Sequence, residues 1–388
     1  MSTNASLPGE KLLRKTDQVS VHEVPDLDLA ALRVRYGADY STSNPYQHLL
    51  YNAVGPGVDA KPCGISAALA EITGEPGPMI YHLHWEDHVL KHVDAAQAAR
   101  NAQTLIDGLE AFASAGGKIV WTRHNLRPHD AGHHDIHADM LSHLARIASV
   151  VHVHSWQALE QISKHEPTDP AKTAIIGHGN YLNHYPGWAA PTARDGFGFD
   201  PDTHVFLLFG RLGGYKQVTQ TAEIFAAIKA PHARLVIAGT ADAPDLSDLP
   251  DDARISLIAQ HIPDAEVGRY FAATDTVLLP YRACLTSGTA MLAAGFARGV
   301  LGTNVAGLRC LVQPGETGAL YDDGGSQAAI QQALHDGRAE WLTRGKVAGN
   351  RAALCDWRIF GRQWRDLFHG LVGHRKTGDL AAARIVAP

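Results

Sequence analysis

In an open parallel sheet, ligands gather at the carboxyl ends of the strands, so polar residues that directly follow apolar, strand-like runs are the natural candidates for chemistry. Five such places stand out in this 388-residue chain. VFLLFG is followed by Arg211, the pair Gly213-Gly214 and Lys216. TVLLPY is followed by Arg282 and then by Thr286-Ser287-Gly288-Thr289, which leads into a helical pattern. VLGT is followed by Asn304 and Gly307, KIVWT by Arg123, His124 and Asn125, and IYHLH by Trp85 and Glu86. The C-terminal group joins cations to a helix start built of small residues. That combination suits a diphosphate: helix N-terminal N–H groups can bond the phosphate oxygens while Arg and Lys neutralise their charge. Arg211 and Lys216 are the leading cations, and Ser287 could equally be a plain N-cap. The imidazole of His124 suits a general base on a hydroxyl, or a hydrogen bond to a polar ligand, according to its tautomer. Glu86 and Asp87 offer a carboxylate base instead, or simply a solvated helix N-terminus.

Two other chemistries are weak. GRLGG and GPG lack the spacing and the downstream acid of a dinucleotide-binding loop. His129, His133, His134, Asp135 and His137 look like a metal site by composition, and HHDIH places two histidines four apart. The HExxH pattern is missing, however, and loop histidines beside Pro and Gly are commonly just polar loop, so no metal is expected.

The elements that must position these residues alternate strand and helix. Apolar runs at LRVRYG, VDAKPCG, MIYHLHW, KIVWTRHN, SVVHVHS and TAIIGHG are interleaved with helical patterns at PYQHLLYNAV, DAAQAARNAQTLIDGLEAFASAG, ADMLSHLARIA and WQALEQISK. A Pro-, Gly- and Asp-rich stretch with no periodicity follows, and the alternation restarts at VFLLFG. This pattern predicts an α/β protein of two Rossmann-like, doubly wound domains. The expected division is an N-terminal extension over 1–30, a first Rossmann-like domain over 31–190, a linker over 191–204, a second Rossmann-like domain over 205–350 and a C-terminal helix and tail over 351–388. The length, above the roughly 250–300 residues at which one core stops growing, agrees with two domains.

Composition narrows the partners. Hydrophobic residues at 45% against 19% charged argue for a substantial core rather than disorder, and a net charge of −6 with scattered Lys and Arg gives no footprint for nucleic acid. The four cysteines are far apart and read as reduced thiols, the N-terminus has no apolar signal segment, and no run is long enough to span a bilayer. A cytoplasmic location is expected, with peripheral membrane contact left open.

Taken in order, these motifs resemble a known family. FGRLGGYK resembles the FGR-x-x-x-x-K segment that opens the second domain of GT-B glycosyltransferases, especially the family 4-like clan. IYHLHW, VWTRHNLRPHD, IIGHGNYLNHYP and VLLPYRACLTSGTAMLAAGFARGV look like a bacterial subgroup tied to exopolysaccharide or glycolipid assembly. The resemblance runs from about Leu32 to about Phe368. It implies two lobes facing across a cleft, and transfer of a hexosyl group from a nucleoside-diphosphate sugar (GDP-mannose or a UDP-hexose) to a saccharide or lipid-linked saccharide, without a metal or other cofactor. By the same resemblance, Arg211 and Lys216 meet the donor diphosphate with Ser287, Gly288 and Thr289. His124 lies near the transferred sugar or the attacking hydroxyl, and Asn44 and Tyr46 are on the acceptor side. One departure stands out. Many members carry Glu-x7-Glu, and those positions fall here at Thr286 and Ala294, which leaves retaining and inverting outcomes both open. Two rivals share the scaffold: a nucleotide-sugar epimerase or phosphorylase, and a catalytically inactive nucleotide-sugar-binding protein.

Overall fold

A computed structural model of the chain describes residues 32–127, 132–241, 246 and 248–373. The expected N-terminal extension and the final tail therefore lie outside the described residues. In the first half, strands β1 (Leu32–Gly37), β2 (Val58–Pro62), β3 (Met79–His84), β4 (Lys118–Thr122), β5 (Val150–Val153) and β6 (Thr173–Ile175) form one sheet in the order β2-β1-β3-β4-β5-β6. Helices α1 (Tyr46–Val54), α2 (Ile65–Gly74), α3 (Ala95–Ser114), α4 (His134–Ile147) and α5 (Trp156–Ser163) make the crossovers. Every pairing in this sheet is parallel.

The second half repeats the plan with β7 (His204–Phe209), β8 (Ala233–Ala238), β9 (Ile255–Ile258), β10 (Thr276–Leu279), β11 (Gly299–Thr303) and β12 (Gly318–Tyr321), in the order β12-β11-β10-β7-β8-β9. Its helices are α7 (Val218–Ala227), α8 (Asp264–Ala273), α9 (Gly288–Gly295), the single turn α10 (Ala306–Arg309) and α11 (Ser326–Ala352). Both sheets are all-parallel, so both faces must be covered, and the central strands are apolar on both sides. Each of the six residues of β7 is buried, and the same holds for β3, although two of its six are histidines.

Local chemistry sets the helix limits. The Asp94 side chain caps α3 by accepting from Gln97 N–H at 2.8 Å. Ala98, Ala102, Leu105, Leu109 and Phe112 then form its buried stripe. Gly116, at φ +94°, ends it, because only glycine takes that conformation without strain.

The structure departs from the sequence pattern in three places. Within the expected linker, α6 (Ala190–Phe197) forms with Pro191 in its first turn. It packs on α8, and Arg194 ties it down by donating to Ala273 O at 3.1 Å and Thr203 O at 2.6 Å and by pairing with Asp275 at 3.2 Å. The pattern reading also omits α2 and β12. The third departure is the end of the chain. After α11, which is interrupted at Gly337 (φ +79°), α12 (Trp357–Val372) returns to the first domain rather than standing apart. It lies on α1 so closely that a Cβ at Gly361 would meet Ala53 O at 2.0 Å, and Arg365 Nε donates to Val54 O at 2.8 Å. Trp357, Phe360, Trp364, Leu367 and Phe368 complete the core on that face of the first sheet. Among the described residues, no helix is long and apolar enough to cross a membrane.

Trp364 is 1% exposed, and its ring packs on His82, His152 and Phe368. Trp364→Ala should therefore cost the first domain about 3–5 kcal/mol. A urea titration should show that loss as an earlier unfolding transition, and an unchanged midpoint would mean that α12 is not part of this core.

Candidate active site

The carboxyl ends of the two sheets border one cleft of about 520 Å³, with walls from both domains. On the second-domain side, β7 ends at Gly210 (φ +96°) and β8 at Gly239 (φ +145°). A Cβ on Gly239 would sit 1.9 Å from Gly210 O, so this close approach of two strand ends requires glycine. A Cβ on Gly210 would lie 3.0 Å from Lys216 Nζ and 3.5 Å from Thr289 Oγ1. The missing side chain thus leaves a space flanked by an amine and by the first turn of α9.

Lys216 is carried by a 3-10 turn, Gly214–Lys216, and is 2% exposed. Its Nζ donates to Phe209 O at 2.5 Å and lies 5.9 Å from the Tyr215 ring centroid and 5.8 Å from that of Tyr281. It forms no ion pair among the described residues, and burial pushes its pKa down to about 7. Arg211, Gly288 and Thr289 line the same wall.

On the first-domain side, Trp85 takes a left-handed backbone conformation (φ 41°) just after β3. Its ring stacks on His124 at 4.1 Å between centroids with 12° between planes. Asn44 accepts from Tyr46 N–H at 3.0 Å ahead of α1. Tyr46 lies edge-on to His124, with centroids 5.2 Å apart. Asn44, Tyr46, Trp85, His124 and Asn125 all line the cleft. His124 is buried to 5% exposure, and its Nε2 bonds His84 Nδ1 at 3.0 Å. Burial and the neighbouring histidines hold its pKa well below the usual range, so the ring is neutral at physiological pH.

The structure brings together Arg211, Lys216, Gly288, Thr289, His124, Asn44, Tyr46, Trp85 and Asn125, and leaves five expected residues out of the cleft lining. Glu86 is 2% exposed, and its carboxylate is used inside the domain: Oε1 meets His137 Nε2 at 3.1 Å and Oε2 accepts from Trp121 Nε1 at 3.1 Å. Asp87 is likewise buried and pairs with Lys91 at 3.3 Å, so neither acid is the solvated helix start that the sequence allowed. Arg282 is exposed, its backbone N–H held by Tyr215 O. Ser287 is buried and spends its hydroxyl capping α9 at Ala290 N–H, 3.1 Å away. Asn304 is exposed and donates to Asp322 at 2.9 Å. Gly307 serves packing, since a Cβ there would strike Cys284 Sγ at 2.4 Å.

The expected metal-like cluster is dispersed. His137 pairs with Glu86, His133 Nε2 donates to Val93 O at 2.9 Å, and His129 lies outside the described residues. Among the described residues, no group of three or more His, Cys, Asp or Glu is placed to hold a metal ion. The cleft also contains residues that the sequence reading passed over, including Tyr40, Ser43, His178, Tyr181, Gly239 and Thr240. Gly239 and Thr240 follow β8, so the strand-end rule could have found them. His178 and Tyr181 follow β6 in the same way.

Comparison with known proteins agrees with this geometry. Residues 203–336 match the family Glycosyl transferases group 1. The chain is 26% identical to GDP-mannose:glycolipid 4-beta-D-mannosyltransferase of Xanthomonas campestris pv. campestris, over 67% of this chain and 70% of that protein. These matches and the paired parallel sheets support a GT-B glycosyltransferase. The fold is shared with Anabaena HepE, whose structure in complex with UDP-glucose superposes with a TM-score of 0.67 at 15% identity, covering 87% of this chain and 99% of that one. It is also shared with WaaG, a glycosyltransferase involved in lipopolysaccharide biosynthesis (TM-score 0.59, 14% identity, 87% and 100% covered).

The state of Lys216 in this glycosyltransferase has a measurable consequence. At pH 8 an amine with a pKa near 7 is mostly neutral, and an adjacent phosphate favours the charged form and raises that pKa. Binding of a nucleoside diphosphate at pH 8 should therefore take up close to one proton per site. Calorimetry in two buffers of different ionisation heat measures that uptake. It should vanish in Lys216→Met, and buffer-independent heats for the unaltered protein would mean that the amine is already charged.

Proposed function

We propose that this glycosyltransferase moves a hexosyl group from a nucleoside-diphosphate sugar to a hydroxyl of a saccharide or lipid-linked saccharide, with GDP-mannose favoured over UDP-hexoses as donor, and that it does so without a metal. The observation that carries the reading is a buried lysine amine with no ion-pair partner among the described residues, set across the Gly210 gap from the first turn of α9. A buried cation is costly unless something compensates it, and a diphosphate bound in the cleft would do so. The name of the Xanthomonas campestris relative supports the choice of GDP-mannose and of a glycolipid hydroxyl. The HepE complexes support a nucleotide-sugar in this fold, there with UDP.

In the proposed reaction, Lys216, Arg211 and the N–H groups at the start of α9 take up the negative charge that develops on the departing diphosphate. Fixed donors and cations in a site shielded from water are effective at this because they need no reorganisation. The first domain supplies the acceptor side through Asn44, Tyr46, Trp85 and Asn125. His124, neutral and on the first-domain wall, meets a hydroxyl of the sugar or of the acceptor. Closure of the lobes around the segment that includes α6 would exclude water and limit donor hydrolysis.

Donor choice can be read from a thermal-shift panel of GDP-, UDP- and dTDP-sugars, since a ligand that binds the folded state raises the melting point. GDP-mannose should give the largest rise. With a saccharide or glycolipid acceptor present, nucleoside diphosphate should be released at a rate unaffected by a chelator. Arg211→Ala and Lys216→Ala should each lower that rate by about 10²–10³-fold. Turnover of the nucleotide-sugar with no acceptor would point to an epimerase, and near-normal transfer by both variants would remove the donor site proposed here.

A further inference from the structure

Beneath the cleft, β3, β4 and β5 carry His82, His84, Thr122 and His152 into a buried polar layer under α1 and α12. Their side chains and Tyr51 join His124 to a backbone carbonyl through an unbroken series of hydrogen bonds. His124 Nε2 lies 3.0 Å from His84 Nδ1, and His84 Nε2 lies 2.9 Å from the Tyr51 hydroxyl. That hydroxyl is 3.0 Å from His82 Nδ1, whose Nε2 is 2.7 Å from Thr122 Oγ1. Thr122 Oγ1 is 3.0 Å from His152 Nδ1, and His152 Nε2 is 2.9 Å from Ile176 O.

A carbonyl oxygen can only accept, and a neutral imidazole has one N–H and one bare nitrogen. Burial keeps all four rings neutral: it holds His82, His84 and His124 well below the usual range and pushes His152 down to about 3. The direction of every link then follows from the far end. His152 Nε2–H donates to Ile176 O, so its Nδ1 is bare and accepts from the Thr122 hydroxyl. Thr122 in turn accepts from His82 Nε2–H. His82 Nδ1 is bare and accepts from Tyr51, which accepts from His84 Nε2–H. His84 Nδ1 is bare and accepts from His124 Nε2–H. Reversing the series would set the lone pair of His152 Nε2 against that of the carbonyl at 2.9 Å. The same carbonyl fixes His154, whose Nδ1 approaches it at 3.3 Å and whose Nε2 then accepts from Tyr46 at 3.4 Å.

We infer that this buried chain, anchored at Ile176 O, locks His124 in the Nε2–H tautomer and leaves its Nδ1 as a bare acceptor, which makes Tyr51, His82, His84, Thr122 and His152 positioning residues for His124. The functional weight of the inference rests on the transferase reading, in which His124 faces the sugar or the attacking hydroxyl. Its Nδ1 bonds none of the described residues. A bare nitrogen there takes the hydrogen of a ligand hydroxyl and disfavours a ligand oxygen that can only accept. If it receives that proton during transfer, the Nε2–H···His84 bond is kept and no other link has to move.

The test is nuclear magnetic resonance of protein labelled with ring-¹⁵N histidine, with His124 assigned through His124→Gln. The full chain should show His124 protonated at Nε2 and bare at Nδ1 without any ligand. Thr122→Val replaces the hydroxyl at a buried position outside the cleft lining and uncouples His82 from the carbonyl. It should produce a second His124 population protonated at Nδ1, and Thr122→Ser should restore the single state. If Thr122→Val does not fold, as judged by circular dichroism, Tyr51→Phe interrupts the same chain nearer the cleft and should give the same second population. In either folded variant kcat should fall several-fold while donor KM changes little. A proton on Nδ1 in the unaltered protein, or a His124 spectrum unmoved by both substitutions, overturns the inference. The expected tautomer in a protein that transfers nothing from any donor would instead sink the transferase reading and leave the hydrogen-bond chain standing.

Discussion

A lysine amine held away from water, with backbone and aromatic rings around it and no ion-pair partner among the described residues, is a standing electrostatic cost to the folded chain. Lys216 carries that cost, and the surrounding features make sense as its supports. The Phe209 carbonyl accepts one of its N–H bonds, and the faces of Tyr215 and Tyr281 lie within cation–π reach. Gly210 and Gly239 have no side chains to fill the space in front of it, and their backbones approach as only glycine allows. The cost is tolerable because the amine can shed its proton: a pKa near 7 leaves a free site that is only partly charged. On the proposed function, a bound diphosphate restores the proton and the charge together, so the positive potential is largest when there is a ligand to use it.

The two lobes meet where α5 packs on α10, with Arg309 paired to Glu160 at 3.6 Å and Leu285 set among Val153, Ala158 and Ile162. Each sheet is covered on both faces, with separate cores in each domain. The crossings between lobes are the segment around α6 and the return of α12. The second crossing matters for the site. Trp357 donates from its indole to Asn180 O at 2.7 Å, and Gly179 leaves the room for that ring, since a Cβ there would fall 2.2 Å from it. Residues 177–181, which bring His178 and Tyr181 to the cleft, are thus held against the last helix of the chain, while Tyr181 also packs into the core of the second domain.

The strand-end rule made much of this legible in the sequence. It locates Arg211, Lys216, Thr289, His124 and Trp85, because an apolar run followed by a polar or glycine-rich break marks both the strand and its functional end. It cannot tell which way a side chain points or what has already claimed it. Glu86 sits one residue beyond Trp85, yet its carboxylate is consumed by His137 from 51 residues further along the chain and by Trp121 from 35. Arg282 and Asn304 follow strands as faithfully as Arg211 does and face solvent. Nor does composition show α6: Pro, Gly and Asp usually break helices, but Pro191 sits in the first turn, where its missing N–H costs nothing, and tertiary bonds from Arg194 hold the rest. The end of the chain was similarly opaque, because nothing local in WRIFGRQWRDLFHGLV says which of two domains its apolar stripe will cover.

The abundance of histidine follows from the same division between lobes. His82 with His84 on β3, and His152 with His154 at the end of β5 on the far side of β4, are spaced by two, which puts each pair on one face of the sheet. Spacing of this kind between His and apolar residues is readable, but the hydrogen-bond partners are not, since they come from different strands and from α1. Placed beside a second lobe that carries Lys216, imidazolium rings would add to a positive charge that forms no ion pair among the described residues. Neutral rings avoid this, and burial enforces their neutrality. On the proposed function, the first domain meets its ligand with oriented dipoles and lone pairs, and the second with a charge that appears on binding. A nucleotide-sugar has the complementary division, hydroxyls at one end and a diphosphate at the other. The two walls of the cleft differ in polarity for the same reason that the two halves of such a ligand do.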